Sequence, residues 1–80
     1  MQTNDLVTSL TAGSVSVTFT KADGTTRVMR ATRSPSLIPA VKFPADGIDA
    51  PVGSVVHVYD LDKNDWRSIA ADRVTDAVAV

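Results

Sequence analysis

The fold is decided by one stretch, Tyr59-Asp60-Leu61-Asp62-Lys63-Asn64-Asp65-Trp66-Arg67-Ser68-Ile69. It predicts a strand, a tight polar turn and a second strand. It also holds the only Trp and the only Tyr of the chain. A small β-barrel needs such a hairpin to close its core, so we expect both rings inside, although an exposed ring would stack on nucleic-acid bases.

Length and composition bound the class of protein. Eighty residues, 44% of them apolar, allow one globular domain with one modest core. The lack of Cys excludes disulfides and thiolate metal sites and suits a reducing cytoplasm. No apolar run approaches the roughly 18 residues that cross a membrane, and no signal peptide is visible, so we expect neither secretion nor insertion. A net charge of −1 argues against binding nucleic acid by bulk charge, but it does not exclude a local basic face.

The start of the chain predicts a helix. Leu6, Val7 and Leu10 would share one side of a helix from Thr3 to Ala12, which Gly13 would end. A frayed terminus is the alternative. We therefore expect two parts: residues 1–13 as an N-terminal helix or flexible arm, and residues 14–80 as a barrel domain.

A strictly alternating strand follows and ends at Asp23-Gly24, which predicts a hairpin. A two-residue turn would place Arg30 opposite Val17 in the core, whereas a three-residue loop with a left-handed Gly24 would place Met29 there. Burying an unpaired Arg costs several kcal/mol and burying Met gains roughly 1.5–3 kcal/mol, so we predict the second register. The inward residues are then Met29 and Ala31, the outward ones are Val28, Arg30 and Thr32, and the heads of Arg27 and Arg33 reach water.

The middle of the chain, residues 34–53, holds all four prolines, which forbid a long helix or a central strand. Its apolar residues predict a loop that folds back on the barrel and serves a function. Ser54–Leu61 predicts a strongly apolar strand that is central or lies under this loop. Asp72-Arg73-Val74 predicts a short 3₁₀ turn, and Asp76–Val80 predicts a closing strand.

Together these elements predict a fold class. Five short strands with polar turns, one long connection and a short helix are typical of an SH3-like or Sm-like barrel. Closure of the barrel would remove the exposed strand edges. We therefore predict a mainly β protein: a small five-stranded SH3/Sm-like barrel with a short N-terminal helix and a long Pro-rich loop.

Few residues suit catalysis or metal binding. His57 is the only His and has no Asp or Glu at a recognised ligand spacing. Asp60, Asp62 and Asp65 share one turn, but a calcium loop also needs a Gly and a terminal Glu, and the chain has no Glu. We therefore predict that the protein is not an enzyme and uses no metal or cofactor.

Arginine supplies five of the eight basic residues and suits contact with phosphates and bases. Arg30 would share an outer patch with whichever of Arg67 and Arg73 faces outward. The alternative is a set of solvated charges and ion pairs, for example Arg67 with Asp60 across the hairpin.

Four stretches together resemble a protein family. They are VSVTFTKADGTTRVMRAT (residues 15–32), LIP (37–39), VHVYDL (56–61) and WRSI (66–69). Over about residues 14–75 the chain resembles small phage-encoded proteins described as WYL-like, Sm-like SH3 β-barrel proteins. Their relatives, the WYL domains of bacterial transcription regulators, are thought to bind nucleic acid or nucleotide-like ligands through basic residues. The resemblance implies that role for Arg67 and Arg73, although Ile69 and Ala70 stand where an aromatic residue and a basic residue are typical.

The resemblance and the arginines lead to a predicted function. We expect a small phage accessory protein that acts in the host cytoplasm as a non-enzymatic binding module. Its partner would be nucleic acid or the host transcription or replication machinery, contacted through Arg30, Arg67 and Arg73.

The alternative function is a protein–protein or self-assembling module. Its contact residues would be Leu37, Ile38 and Phe43 in the loop and Val78 and Val80 in the last strand. Barrels of this kind often assemble through open edges, so a homo-oligomer is expected, with no membrane partner.

Overall fold

The computed structural model describes residues 2–80. The elements are α1 (Thr3–Ala12), β1 (Val15–Thr20), β2 (Thr26–Thr32), a first 3₁₀ helix (Ala40–Lys42), β3 (Val55–Asp60), β4 (Asp65–Ala70), a second 3₁₀ helix (Ala71–Arg73) and β5 (Val74–Ala79). The strands form one five-stranded antiparallel sheet. The prediction of a mainly β protein with a short N-terminal helix is therefore confirmed.

The hairpin of β1 and β2 adopts the predicted register. Val17 lies opposite Met29, and Val15 lies opposite Ala31. Gly24 has a φ of +88°, a backbone conformation that residues with a Cβ rarely adopt. Because Met29 is 3% exposed, the register buries the apolar side chain rather than its charged neighbour.

The hairpin of β3 and β4 also forms as predicted. Tyr59 pairs with Trp66, and Asp60 pairs with Asp65. Asn64 completes the turn with a positive φ of 55°, which Asn tolerates better than most residues. The rings of Tyr59 and Trp66 meet edge to face with their centroids 5.6 Å apart. Tyr59 is fully buried, whereas Trp66 keeps part of its surface exposed.

The sheet is open, which corrects the prediction of a closed barrel. Its strand order is β4-β3-β2-β1-β5. The second 3₁₀ helix turns the chain away from β4, and β5 then pairs along β1, with a register shift between Thr18 and Phe19. Among the residues that the structure describes, β4 and β5 form no ladder with each other, so each strand keeps one free edge.

One hydrophobic core lies between the sheet and α1. Its buried members are Leu6, Leu10, Val15, Val17, Met29, Ala31, Val56, Val58, Ile69, Ala71 and Val74. Full burial of a leucine contributes about 1.5–3 kcal/mol, so Leu6 and Leu10 hold α1 against the sheet and the helix is not frayed. The predicted division between residues 13 and 14 stays a prediction.

Two residues at the end of β2 differ from the prediction. Thr32, expected outside, is fully buried, and its Oγ1 lies 3.2 Å from the carbonyl oxygen of Leu10 and 2.9 Å from that of Gly13. Arg33, expected to reach water, is only 8% exposed, and its backbone N–H donates to the Leu10 carbonyl. The end of α1 covers Thr32, whereas the guanidinium of Arg33 is buried between β3 and the β2–β3 connection, where it donates to the carbonyls of His57 and Asp49.

The connection between β2 and β3 folds back on the β3–β4 hairpin. The indole Nε1 of Trp66 donates to the carbonyl oxygen of Lys42 at 2.8 Å. Within the same connection, Ile38 is buried. An isolated bridge joins Val52 to Val55 just before the chain enters β3. The connection therefore covers the face of the hairpin that points away from the core.

Candidate binding surfaces

A buried carboxylate organises the turn between β3 and β4. Asp60 is 1% exposed, and its Oδ1 accepts the backbone N–H groups of Asp62 at 3.0 Å and Lys63 at 3.1 Å. Its Oδ2 lies 3.7 Å from Nη2 of Arg27 and 3.8 Å from Nε of Arg67, which is ion-pair distance but too long for a hydrogen bond. Two guanidinium groups thus compensate one buried charge. The ion pair of Arg67 with Asp60, expected as the alternative to nucleic-acid contact, is present.

The side chain of Arg30, on β2, reaches the same turn. Its Nη2 lies 3.3 Å from Oδ1 of Asp62, and the two side chains are 55% and 60% exposed. Exposed pairs contribute about 0–1 kcal/mol, so Arg30 could exchange its partner for a phosphate at little cost. Arg67 instead lies opposite the fully buried Val58, on the inner face of the sheet. Arg30 and Arg67 therefore do not share an outer patch. We call Arg27, Arg30, Arg67, Asp60 and Asp62 the turn cluster.

A second group of basic residues lies beside the free edge of β4. A cleft of about 420 Å³ separates this strand from the end of β1. Its lining residues are Phe19, Thr20, Lys21, Ala22, Ser68, Ile69, Ala70 and Arg73. We call it the edge cleft. Lys21 and Arg73 are exposed, and neither forms an ion pair within residues 2–80.

Arg73 is therefore the only one of the three predicted nucleic-acid residues whose charge is not paired in the part of the chain that is described. Sequence reasoning misses Lys21, because only the fold brings the β1–β2 loop next to the end of β4. No local pattern in the sequence links these two residues. The edge cleft thus combines an unpaired strand edge with two unpaired positive charges.

The residues predicted for protein contact divide into two groups. In the loop, Leu37 is 43% exposed and Phe43 is half-buried, but Ile38 is 4% exposed and cannot touch a partner unless the loop opens. On β5 and directly after it, Val78 is 51% exposed and Val80 is 65% exposed. The exposed apolar residues of the last strand thus lie along a free edge of the sheet.

A pocket of about 190 Å³ lies where the β2–β3 connection meets the hairpin. We call it the loop pocket, and its lining residues are Pro44, Gly47, Ile48, Asp49, His57 and Trp66. His57, for which no catalytic or ligand role was expected, is one of its two titratable members. The lining comes from three separate segments of the chain, so no local sequence pattern reveals it.

A buried arginine ties the walls of the loop pocket together. Nη1 of Arg33 donates to the backbone carbonyl of His57 at 2.6 Å, and Nη2 donates to that of Asp49 at 3.2 Å. Within the described residues Arg33 has no acidic partner. Burial lowers the pKa of Arg33, because removal from water disfavours the charged form. The two carbonyl bonds thus fix the loop against β3.

Residues 2–80 contain neither a metal-ligand cluster nor a helix that could cross a membrane. No group of three or more His, Cys, Asp or Glu side chains is arranged to hold a metal ion in that range. No helix there has both the length and the apolar character that a membrane crossing requires.

The fold and these surfaces define a small Sm-like SH3 domain, a class that often mediates binding. The sequence profile of the family described as WYL_2, Sm-like SH3 beta-barrel fold, matches residues 3–75, so the chain belongs to that family. The family predicted from the four quoted stretches is thereby confirmed, whereas its phage origin stays a prediction. Comparisons with curated proteins and with solved structures found no match to this chain.

Proposed function

We propose that this protein is a non-enzymatic binding module that assembles by strand pairing, with β5 of one copy adding to the free edge of β4 of the next. One observation carries the proposal: the open sheet ends in two strands of six residues, each of which has one unpaired edge. Exposed edges are templates for pairing, and barrels and covered sheets normally remove them. Each copy would supply one edge and accept one.

Charge supports this pairing. Antiparallel pairing would bring the first half of β5 to the last residues of the neighbouring β4. With the two six-residue strands in full overlap, the exposed Asp76 of β5 would lie opposite Ser68, which lines the edge cleft where Lys21 and Arg73 are unpaired. Val78 would be covered in the same contact. Because the two surfaces differ, the contact is head-to-tail and generates a ring if the rotation closes.

The test is the molar mass of the protein in solution, measured by light scattering over a range of concentrations. Val78→Lys should shift the wild-type oligomer to monomer, because a lysine on an edge strand opposes pairing. Val41→Lys is the matched control, since Val41 is 91% exposed in the loop and should leave the mass unchanged. A wild-type monomer at every concentration contradicts the proposal, as does equal dissociation by both variants.

Nucleic-acid binding is the second candidate, and the unpaired Arg73 beside Lys21 supports it. Phosphates would contact these two residues, with Arg30 joining by exchange of its exposed acid partner. Oligonucleotide binding should weaken steeply between about 50 and 200 mM salt, and Arg73→Ala should weaken it more than Arg67→Ala. Absence of binding at about 50 mM salt rejects this candidate.

The cellular setting belongs to the same proposal: a phage accessory protein in the host cytoplasm. The resemblance over residues 14–75 supports the phage origin, and the lack of cysteine suits a reducing compartment. A pull-down from bacterial lysate with and without nuclease separates the candidates. Retention of host protein only while nucleic acid is intact favours the second candidate over the first.

A further inference from the structure

Two turns of this chain share one short sequence and one backbone geometry. Ala-Asp-Gly occupies residues 22–24 between β1 and β2, and it occupies residues 45–47 in the β2–β3 connection. Gly24 has a φ of +88° and Gly47 has a φ of +85°. In each turn the glycine N–H donates to the carbonyl oxygen three residues earlier, at 2.9 Å in the first turn and 3.1 Å in the second. The two turns therefore form a matched pair.

The carboxyl groups of the two turns have different surroundings. Oδ1 of Asp23 accepts the backbone N–H of Thr25 at 3.0 Å and its hydroxyl at 2.6 Å. These hydrogen bonds lower the pKa of Asp23, because they stabilise the charged form. The equivalent position of the second turn is Ile48, which has no hydroxyl. Within residues 2–80, the exposed side chain of Asp46 forms no hydrogen bond and no ion pair.

An aspartate followed by glycine can undergo a reaction within the backbone. The amide nitrogen of the glycine attacks Cγ of the aspartate, a C–N bond forms, and the carboxyl OH leaves as water together with the amide proton. The product is a five-membered succinimide. Water then opens this ring at either carbonyl, and opening at the backbone carbonyl gives isoaspartate, whose main chain runs through the former side chain. Glycine favours the attack because it has no Cβ to obstruct the approach.

The state of the carboxyl group decides which of the two turns reacts. Water leaves readily from a neutral carboxylic acid, whereas a carboxylate is a poor electrophile. The hydrogen bonds that keep Asp23 ionised therefore suppress ring closure in the first turn. Ring closure also rotates the backbone, and there it would break the hydrogen bond at 2.7 Å from the N–H of Lys21 to the carbonyl of Thr25. The second turn lies outside the strands, where local opening costs less free energy.

We infer that Asp46 is a modification site, at which isoaspartate forms spontaneously, and that the fold protects Asp23 from the same reaction. Isoaspartate is the substrate class of methyltransferases that transfer a methyl group from S-adenosylmethionine to its free carboxylate. The inference does not rest on the proposed strand pairing, because the second turn belongs to neither free edge of the sheet.

The modification bears on the loop pocket. Pro44 and Gly47 line this pocket, and Asp46 stands between them in the sequence. Isoaspartate lengthens the main chain by one methylene inside the hydrogen-bonded turn that joins these two lining residues. The pocket wall should therefore change shape. Trp66 lines the same pocket and is the only Trp of the chain, so its fluorescence should report the change.

Peptide mapping of the folded chain after prolonged incubation at neutral pH tests the inference. Trypsin separates the two aspartates, because it cleaves only after Lys and Arg and so places them on peptides 22–27 and 43–63. Label from S-adenosylmethionine, transferred by an isoaspartyl methyltransferase, then measures isoaspartate in each peptide. Label on peptide 43–63 should accumulate at least about tenfold faster, which is the effect on rate of one charge-assisted hydrogen bond. Equal rates, or faster labelling of peptide 22–27, overturn the inference.

Two controls show that the site is Asp46 and that the fold causes the difference. Asp46→Glu keeps the charge but cannot form the five-membered ring, so peptide 43–63 should lose its label and the fluorescence of Trp66 should stay constant during incubation. In guanidinium chloride both turns unfold, and the two peptides should be labelled at equal rates. Label that persists in Asp46→Glu, or a difference that survives unfolding, overturns the inference.

Exchange of the residue after each glycine tests the protecting hydroxyl. Ile48→Thr supplies at the second turn the hydroxyl that Thr25 supplies at the first, and it should slow labelling by up to about tenfold. Ile48→Val is the matched control, because it is also β-branched but has no hydroxyl, and it should leave the rate unchanged. Thr25→Val, at an exposed position, should accelerate labelling of peptide 22–27. Equal rates in the two Ile48 variants, together with no acceleration in Thr25→Val, overturn the inference.

Discussion

Two groups of basic residues on this molecule have opposite surroundings. In the turn cluster, Arg27 and Arg67 face the buried Asp60, and Arg30 faces Asp62. In the edge cleft, Lys21 and Arg73 have no such partner within residues 2–80. The first group stabilises a turn, and the second is available for contact. Residue type alone does not separate them; the position of the nearest carboxylate does.

The largest expected effect comes from removing the acid of the turn cluster. Asp60→Ala should destabilise the protein by about 2–3 kcal/mol, because two turn N–H groups lose their acceptor and two guanidinium groups lose their counter-charge. The value lies below that of a fully buried pair, since Arg27 and Arg67 are 35% and 45% exposed. Urea unfolding measures it.

The matched control is Asp62→Ala, which removes the exposed acid next to Arg30. Its cost should stay within about 0.5 kcal/mol, as for most surface substitutions. Equal costs for the two variants would mean that burial of Asp60 is irrelevant to the stability of the turn.

A smaller loss of stability is expected from changing Arg33, whose guanidinium donates only to backbone carbonyls. Arg33→Lys should cost about 1–2 kcal/mol, because a single ammonium cannot reproduce the fork that reaches both His57 and Asp49. Hydrogen exchange should accelerate in residues 44–49 while β1 and β2 stay protected. Uniform acceleration across the sheet would show that Arg33 supports the whole fold and not the loop pocket in particular.

The two groups of basic residues can be compared directly by truncation. Arg67→Ala should destabilise the protein by about 0.5–1.5 kcal/mol, since Asp60 loses one of its two partners. Arg73→Ala should change stability by less than about 0.5 kcal/mol while it weakens assembly or nucleic-acid binding. Thermal unfolding together with light scattering separates the two effects. The reverse pattern would exchange the roles assigned to the turn cluster and the edge cleft.

The smallest effect is expected at Asp23, which organises the exposed turn between β1 and β2 through hydrogen bonds alone. The side chain and backbone of Thr25 donate to Asp23, and these hydrogen bonds lower the pKa of the carboxyl. A lowered pKa stabilises the fold at neutral pH, and the contribution is lost as pH falls through the lowered value. The difference in Tm between wild type and Asp23→Asn should therefore shrink on acidification. A difference that grows at low pH contradicts this assignment.

Much of the fold could be predicted from local patterns. Alternation in β1 and the cost of burying Arg30 predicted the register of the first hairpin, and Leu6 with Leu10 predicted α1. The open sheet could not be predicted, because the pairing of β5 depends on where the second 3₁₀ helix directs the chain. The burial of Thr32 depends in the same way on contact with α1.

The candidate sites were less predictable than the fold. The sequence predicts Arg73 as a binding residue, but only the tertiary structure places Lys21 in the same cleft. The loop pocket assembles residues from a loop and from two strands, and Arg33, which was expected to reach water, fixes it from inside. The spacing of these residues along the chain does not predict such tertiary contacts.

Charge reversal across the proposed contact tests the account most directly. Light scattering would compare Arg73→Asp, Asp76→Arg and the double variant that carries both changes. If β5 of one copy pairs with β4 of the next, each single variant should dissociate and the double variant should regain the oligomer, because the opposite charges again meet between copies. A double variant that stays monomeric at concentrations where the wild type is an oligomer would contradict the account, as would a wild type that is itself monomeric.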